Sequence, residues 1–484
     1  MKKHINQIII LLIGIVLFSC SEDKMDDINF NPNDPSDVSS SLIITDVMVN
    51  SAQSVVGSDL AFYASVYIEY NVGVYGQMNG AEIRVAQPTS SSTYNNTWGS
   101  AYTNLLNLKD IIRKCSEGGS EEGNFHTLGI AQILTAYNLG VLTDVMGDIP
   151  WSEALQPGVI FTPKLDSQES IYAEIFKYLD EGIANLEKES TFGSLGIQDV
   201  IYGGNAEKWI KFGYGLKARH TMRLSLRNPD YNSVIEFANK SFEDPSEQAQ
   251  FNYNGTTSKS PFQQFFEDRD YFGASTSLHQ KLEERDDPRD DTFFKPYPDT
   301  GDDLLFAVNG SNDQAQGKYS VSGISDITAP TYLLSYHEIE FLKAEAYARL
   351  DQLENAKGAL QKAITAAFGK VNVVLSAAEA ETYYTEEVEP KLTNKSNTIK
   401  EIMIQKYLAF YEEEAVEAYN DYRRLKAMGE DYIVLLNPLN DSNKFPLRFT
   451  YGSDDVTTNK NVRDAYGDGN YVYTENVWWA GGTR

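Results

Sequence analysis

Apolar residues return at three- and four-residue intervals through most of this chain, the spacing that lines one face of a helix. The clearest run lies at residues 130–141, where Ile130, Ile133, Leu134, Tyr137 and Val141 share a face. The same spacing predicts helices over 42–56, 62–74, 98–114, 125–145, 171–186, 209–226, 336–350, 354–368, 402–411 and 415–428. Taken in order from residue 98, they pair as four antiparallel hairpins, by the rule that short connections make consecutive helices neighbours. In the third pair, Ala344, Ala346 and Tyr347 are followed by Ala356, Leu360 and Ala363. Small residues at such positions let two helices approach closely, as in a tetratricopeptide repeat. The expectation is an all-α fold of about four tetratricopeptide-like hairpins with long, loop-rich insertions.

The period dissolves in three places. Residues 75–97 turn to Gly, Asn, Ser and Thr and carry Gln77, Asn79, Arg84, Asn95 and Asn96. A loop that long inside a compact domain tends to be functional. Residues 251–330 form a turn-rich insertion with scattered aromatics, among them Tyr271, Phe272, Phe294, Tyr297 and Tyr319. Beyond Met428 the chain is again irregular, and its closing aromatics, Tyr471, Tyr473, Trp478 and Trp479, are expected to pack back onto the helices. A sharper break falls at Gly147 and Pro150, with Asp144, Asp148 and Trp151 in or beside the turn. Two carboxylates by an indole read either as an acid/base pair under a sugar-stacking ring or as a hydrogen-bonded turn beside a packed Trp.

Composition narrows the class. With 484 residues, 42% of them hydrophobic and 23% charged, the chain is globular and long enough for a large core. A formal charge of −28 excludes a nucleic-acid role, since phosphates would be repelled. Of the two cysteines, Cys115 falls among Leu105, Leu108, Ile111 and Ile112 at helical spacing and reads as a buried thiol. Cys20 is different. Lys2 and Lys3, an apolar run at 8–18 and Ser19 before Cys20 make up an export signal of the lipoprotein type. The run is shorter than the roughly 20 residues a spanning helix needs. Residues 1–19 are therefore expected to be a lipoprotein signal, Cys20 the lipidated residue, 20–41 a polar tether and 42–484 a single folded domain.

Catalytic signatures are missing. His126, His220, His279 and His337 are far apart in sequence, and no HExxH, GxSxG, P-loop or GxGxxG occurs. The Asp-rich residues 286–291 lack the spacing of a calcium loop. No metal or cofactor is expected. Glycoside hydrolysis needs two carboxylates about 5–10 Å apart, but 69 acidic residues make chance pairs plentiful. Aromatics say more: 30 Tyr, 23 Phe and 5 Trp offer planes for the C–H faces of sugars, with Asn, Gln and Arg to bond hydroxyls. Arg84, Asn95, Asn96 and Trp98 have that chemistry.

Taken together, these pieces resemble the SusD/RagB family of outer-membrane nutrient-binding lipoproteins from Bacteroidetes. The resemblance rests on the signal ending at Cys20 and on LTDVMGDIPWSEAL at 142–155. It rests also on PTYLLSYHEIEFLKAEAYAR at 330–349, IQKYLAFYEEEAVEAYNDYRRL at 404–425, FPLRFTY at 445–451 and Asn459, Lys460 and Asn461. Ser21, Glu22, Asp23 and Lys24 resemble the acidic tag that sends such lipoproteins to the cell surface. Leu425, Lys426, Ala427 and Met428 depart from the family's usual Thr-Gly-Tyr-Pro type of ending. The resemblance implies a lid on a SusC-like TonB-dependent outer-membrane barrel, binding an oligosaccharide or a peptide, with no catalytic activity. It implies ligand contacts from Arg84, Asn95, Asn96 and Trp98 in the first loop region, and from Tyr271, Phe272, Phe294, Tyr297 and Tyr319 in the insertion. It makes the Gly147 and Pro150 turn a scaffold corner. The competing readings are a tetratricopeptide-type scaffold that binds only protein and a secreted all-helical glycosidase.

Overall fold

The computed structural model describes residues 37–298, 301 and 303–484. The expected signal, Cys20 and residues 20–36 of the expected tether lie outside the described residues. The fold is all-α, built from tetratricopeptide-like hairpins with loop-rich insertions. It opens with α1 (Ser40–Asn50), continued by a π-turn at Ser51–Val56, and α2 (Asp59–Tyr67). Then come β1 (Asn71–Gly73), α3 (Gly76–Glu82), α4 (Asn95–Cys115), α5 (Phe125–Met146), α6 (Gln168–Leu186), α7 (Ala206–Arg223) and α8 (Tyr231–Asn239).

Helix α5 is the centre. From Thr127 to Met146 every residue is buried, which is why apolar residues occur on all its sides rather than on one stripe. It is long and apolar enough to cross a membrane, yet it lies wholly inside the protein. It packs on α4 and, most closely, on α6. At that crossing Gly129 faces Gly182: a Cβ on Gly129 would sit 2.6 Å from the Gly182 carbonyl oxygen. The α6 face Ile171, Ile175, Leu179, Ile183 and Leu186 is buried, as its spacing predicts. Caps fix the helix starts: Ser167 accepts from the Ser170 N–H for α6, and Asn205 from the Lys208 N–H for α7.

The second half carries the insertion. It holds β2 (Ala249–Phe251), α9 (Pro261–Arg269), β3 (Phe272–Ala274), α10 (Thr276–Glu283), α11 (Asp290–Phe293), β4 (Phe294–Lys295), β5 (Val321–Ser322) and β6 (Thr331–Leu334). The antiparallel pairs are β1 with β3, β2 with β6 and β4 with β5. Then follow α12 (Tyr336–Arg349), α13 (Leu353–Phe368), α14 (Ala377–Tyr383), α15 (Lys395–Ala409), α16 (Ala415–Ala427), α17 (Ser453–Thr458) and α18 (Lys460–Tyr466). Helices α12 and α13 form the hairpin expected from their alanines, with Ala344, Ala346, Ala356, Leu360 and Ala363 buried.

Three local expectations change. The helix expected at 62–74 stops at Tyr67, and its apolar remainder is strand β1. The chain turns at Glu69 (φ +64°), whose buried carboxylate accepts the N–H groups of Leu436 and Asn437. Residues 75–97 are not one loop, since they hold α3 and the first turn of α4. The last hairpin is splayed: α15 lies on α12 and α13, whereas α16 packs on α2. The closing aromatics do fold back. Trp479 is fully buried, its backbone N–H donating to Gln168 Oε1.

A candidate ligand-binding face

The β1 and β3 ladder joins the first loop region to the insertion, pairing Asn71 with Ala274, Val72 with Gly273 and Gly73 with Phe272. One further bond, Val74 N–H to Tyr271 O at 2.9 Å, extends it. The register therefore delivers Tyr75 and Tyr271 side by side, with ring centroids 5.5 Å apart. Gly76 lies under the Tyr271 ring at φ +54°, and a Cβ there would fall 2.6 Å from the ring. Tyr75 is 53% exposed and Tyr271 half-buried. Tyr271 also meets Phe265 edge-on, and Phe266 meets Tyr297. The Tyr297 hydroxyl donates to Asp270 at 2.8 Å. Burial raises the Asp270 carboxyl above the usual carboxylate range, while the bond from Tyr297 opposes the rise.

The other insertion aromatics lie beneath. Phe272 packs with Phe62, Phe262 and Phe265. Tyr319 is buried with Val72, Val74 and Ala307 on the ladder's other face. Phe294 sits apart, against His279, Phe306 and Tyr411. Of the five, Tyr271 and Tyr297 reach the surface cluster, while Phe272 and Tyr319 support it.

The first-loop residues are placed differently. Arg84 is buried over the Tyr67 ring, donating to the carbonyls of Ala81 and Glu82 and to Asn440 Oδ1. Trp98 is 2% exposed; its indole N–H donates to Asp455 at 2.6 Å, and its ring packs on Tyr102 and Tyr451. Asn95 accepts from the Asp454 N–H, and Asn96 donates to Asp59. Trp98 and Asn95 tie α4 to the C-terminal segment, and none of the four touches the Tyr75 and Tyr271 cluster in these contacts.

Two buried carboxylates hold the loops that frame this face. Glu82, at the end of α3, accepts from the N–H of Gly310 at 2.5 Å, from Asn437 Nδ2 at 3.2 Å and from the N–H of Gly73 at 3.4 Å. Burial pushes it up to about 7, against the pull of Arg84. Glu69 binds Leu436 and Asn437 from the other side. Near Arg84 opens a cavity of about 670 Å³, with Tyr422, Arg423, Asn440, Phe445, Tyr473 and Asn476 in its wall. Sequence reasoning missed Tyr75, Glu69, Glu82 and this cavity. Only Tyr75, an aromatic at the mouth of a Gly-rich stretch, carried a legible signal.

The turn at Gly147 and Pro150 is closed. Asp144 is buried, accepting from the Tyr172 hydroxyl at 2.5 Å and facing Arg223 at 3.3 Å. Burial raises it to about 6, with Arg223 opposing. Asp148 accepts the N–H of Gln168 at the start of α6. Trp151 is packed under Lys109 and against Tyr178. The turn is hydrogen-bonded and packed, with Asp144 and Trp151 buried and Asp148 half-buried. Among the described residues no group of three His, Cys, Asp or Glu is placed to hold a metal ion. The Cys115 thiol is buried and pushed up to about 11.

Fold and face together define a class: a scaffold of tetratricopeptide-like hairpins that displays a loop-built aromatic surface. Comparison with known proteins makes the assignment specific. The profile of the SusD-like family, described as starch-binding and associating with the outer membrane, matches residues 32–452. A SusD/RagB family protein from Bacteroides thetaiotaomicron is 42% identical over 93% of this chain and all of its own, with a TM-score of 0.87. A chitin-binding SusD homolog from Flavobacterium johnsoniae shares the fold at 18% identity, covering 91% of this chain and 98% of its own, with a TM-score of 0.73. A SusD homolog from Parabacteroides distasonis does so at 21% identity over 92% and 98%, with a TM-score of 0.72. No curated protein matches. The chain belongs to the SusD/RagB family.

Proposed function

We propose that this chain is an outer-membrane lipoprotein, anchored through Cys20 and folded as one domain from about residue 42, that binds oligosaccharide on the face carrying Tyr75, Tyr271 and Tyr297. It delivers that ligand, as a lid, to a SusC-like TonB-dependent barrel. The observation that carries this reading is the strand register that sets Tyr75 and Tyr271 5.5 Å apart at the surface. Adjacent rings offer apolar planes to the C–H faces of sugars, and phenol hydroxyls can exchange hydrogen bonds with sugar hydroxyls. The starch-binding description of the family and the chitin-binding relative support a glycan over a peptide. Arg84 and Trp98 serve the framework in this reading, and the chain acts without catalysis.

The test has two arms. Calorimetry against starch-type and chitin-type oligosaccharides and a peptide panel should give a glycan that binds. Detergent extraction from outer membranes should co-purify a TonB-dependent barrel. Binding to peptides alone would replace the ligand class, and finding neither ligand nor barrel would overturn the reading.

A further inference from the structure

Beside the scaffold corner stands a short turn whose side chains have no evident task in the fold. Val159 is 72% and Phe161 78% exposed, with Ile160 between them only half-buried. From Leu155 to Pro163 the chain carries no charge. The turn is not loose: the N–H groups of Val159 and Ile160 both donate to Gln156 O, with Gly158 at φ +77°. Its base is pinned on several sides. Ile149 and Asp166 exchange backbone bonds, Glu153 holds Lys164, and Asn459 and Asn461 donate to the carbonyls of Pro163 and Thr162. A rigid pedestal thus presents three large apolar side chains to the outside, at a cost that water imposes unless something covers them.

Helix α4 links this turn to the start of the described chain. Lys114 on α4 binds Val38 O and the Asp37 carboxylate, where the described chain begins. Lys109, five residues earlier on the same helix, donates to Trp151 O and Ala154 O at the base of the turn. Five residues rise about 7–8 Å along a helix. Residues 20–36 span at most about 60 Å from a lipid on Cys20 to this point. An anchor of that reach keeps the turn near the bilayer at high effective concentration, so a weak apolar contact suffices.

We propose that residues 156–162 are a second membrane contact, which seats Val159, Ile160 and Phe161 in the lipid interface beside the acylated N-terminus. It rests on the lipid-anchor reading and extends it. An uncharged tip suits a chain of net charge −28, which cannot be held to an anionic surface by electrostatics. The test is the mature lipidated protein carrying Phe161→Cys with an environment-sensitive fluorophore, reconstituted in phosphatidylethanolamine and phosphatidylglycerol vesicles. Cys115 is buried and spared. The emission should shift to the blue and be quenched by nitroxides on the lipid acyl chains. A water-like emission on protein that floats with the vesicles would overturn the contact and leave the anchor standing. A shift that appears only when the barrel is added would reassign the tip to a protein partner and overturn the lipid contact. Failure of the protein to float would overturn anchor and contact alike.

Discussion

Single residues in this molecule divide into those that hold the face and those that present it. Glu82 holds it. In the folded chain it sits at about 7 against an ordinary 4.5, because burial disfavours its charge. Between those values the folded state binds more protons than the unfolded one, so this group's contribution to stability falls as pH rises from about 4.5 to 7. Replacing Glu82 with Gln keeps an acceptor and removes the titration. Relative to wild type, Glu82→Gln should therefore be more stable at pH 8 than at pH 4.5, by up to about 3 kcal/mol, as read from urea midpoints. An unchanged difference between the two pH values would refute that role. Asp148 belongs to the corner. Asp148→Ala leaves the Gln168 N–H without its acceptor and should cost about 1–2 kcal/mol. Glycan affinity should stay at the wild-type level by calorimetry.

Among the elements, glycines report how closely helices meet. Gly182 faces Gly129, and a Cβ on it would lie 2.9 Å from both the Gly129 carbonyl and Ile133. Gly182→Ala is expected to lose about 1–3 kcal/mol through overpacking, although Ala is otherwise the better helix former. Gly358 on α13 meets nothing within 4 Å, so Gly358→Ala should gain about 0.5–1 kcal/mol. Thermal unfolding of the pair gives opposite signs if the crossing is as described. These helices were legible because one-sided burial imprints a period, as at Ile171, Ile175 and Leu179. The elements that carry the candidate site were not. Val72 and Val74 continue an apolar run and read as helix, yet they form and flank a strand whose partner lies about 200 residues on, at Phe272 to Ala274. Strand pairing at that range leaves no local mark, and three-residue strands are too short to show alternation.

At the scale of the whole molecule, one buried core runs from Ile44 to Val472, and the hairpins and C-terminal segment share it. The candidate ligand face is built on that core by contacts distant in sequence, which explains the uneven legibility of its residues. Tyr271 and Tyr297 were readable as insertion aromatics, but so were Phe272, Phe294 and Tyr319, and only packing separates the presenting rings from the supporting ones. Trp98 had the chemistry of a sugar platform and was taken instead by Asp455 and Tyr451. The account's central claim is that sugar stacks on Tyr75 and Tyr271. Its most direct test is a calorimetric titration of the best-binding oligosaccharide into wild type and the Tyr75→Ala, Tyr271→Ala double variant. At about 1 kcal/mol per lost ring, affinity should fall roughly thirty-fold while the variant keeps a cooperative unfolding transition. Wild-type affinity in a folded double variant would contradict it.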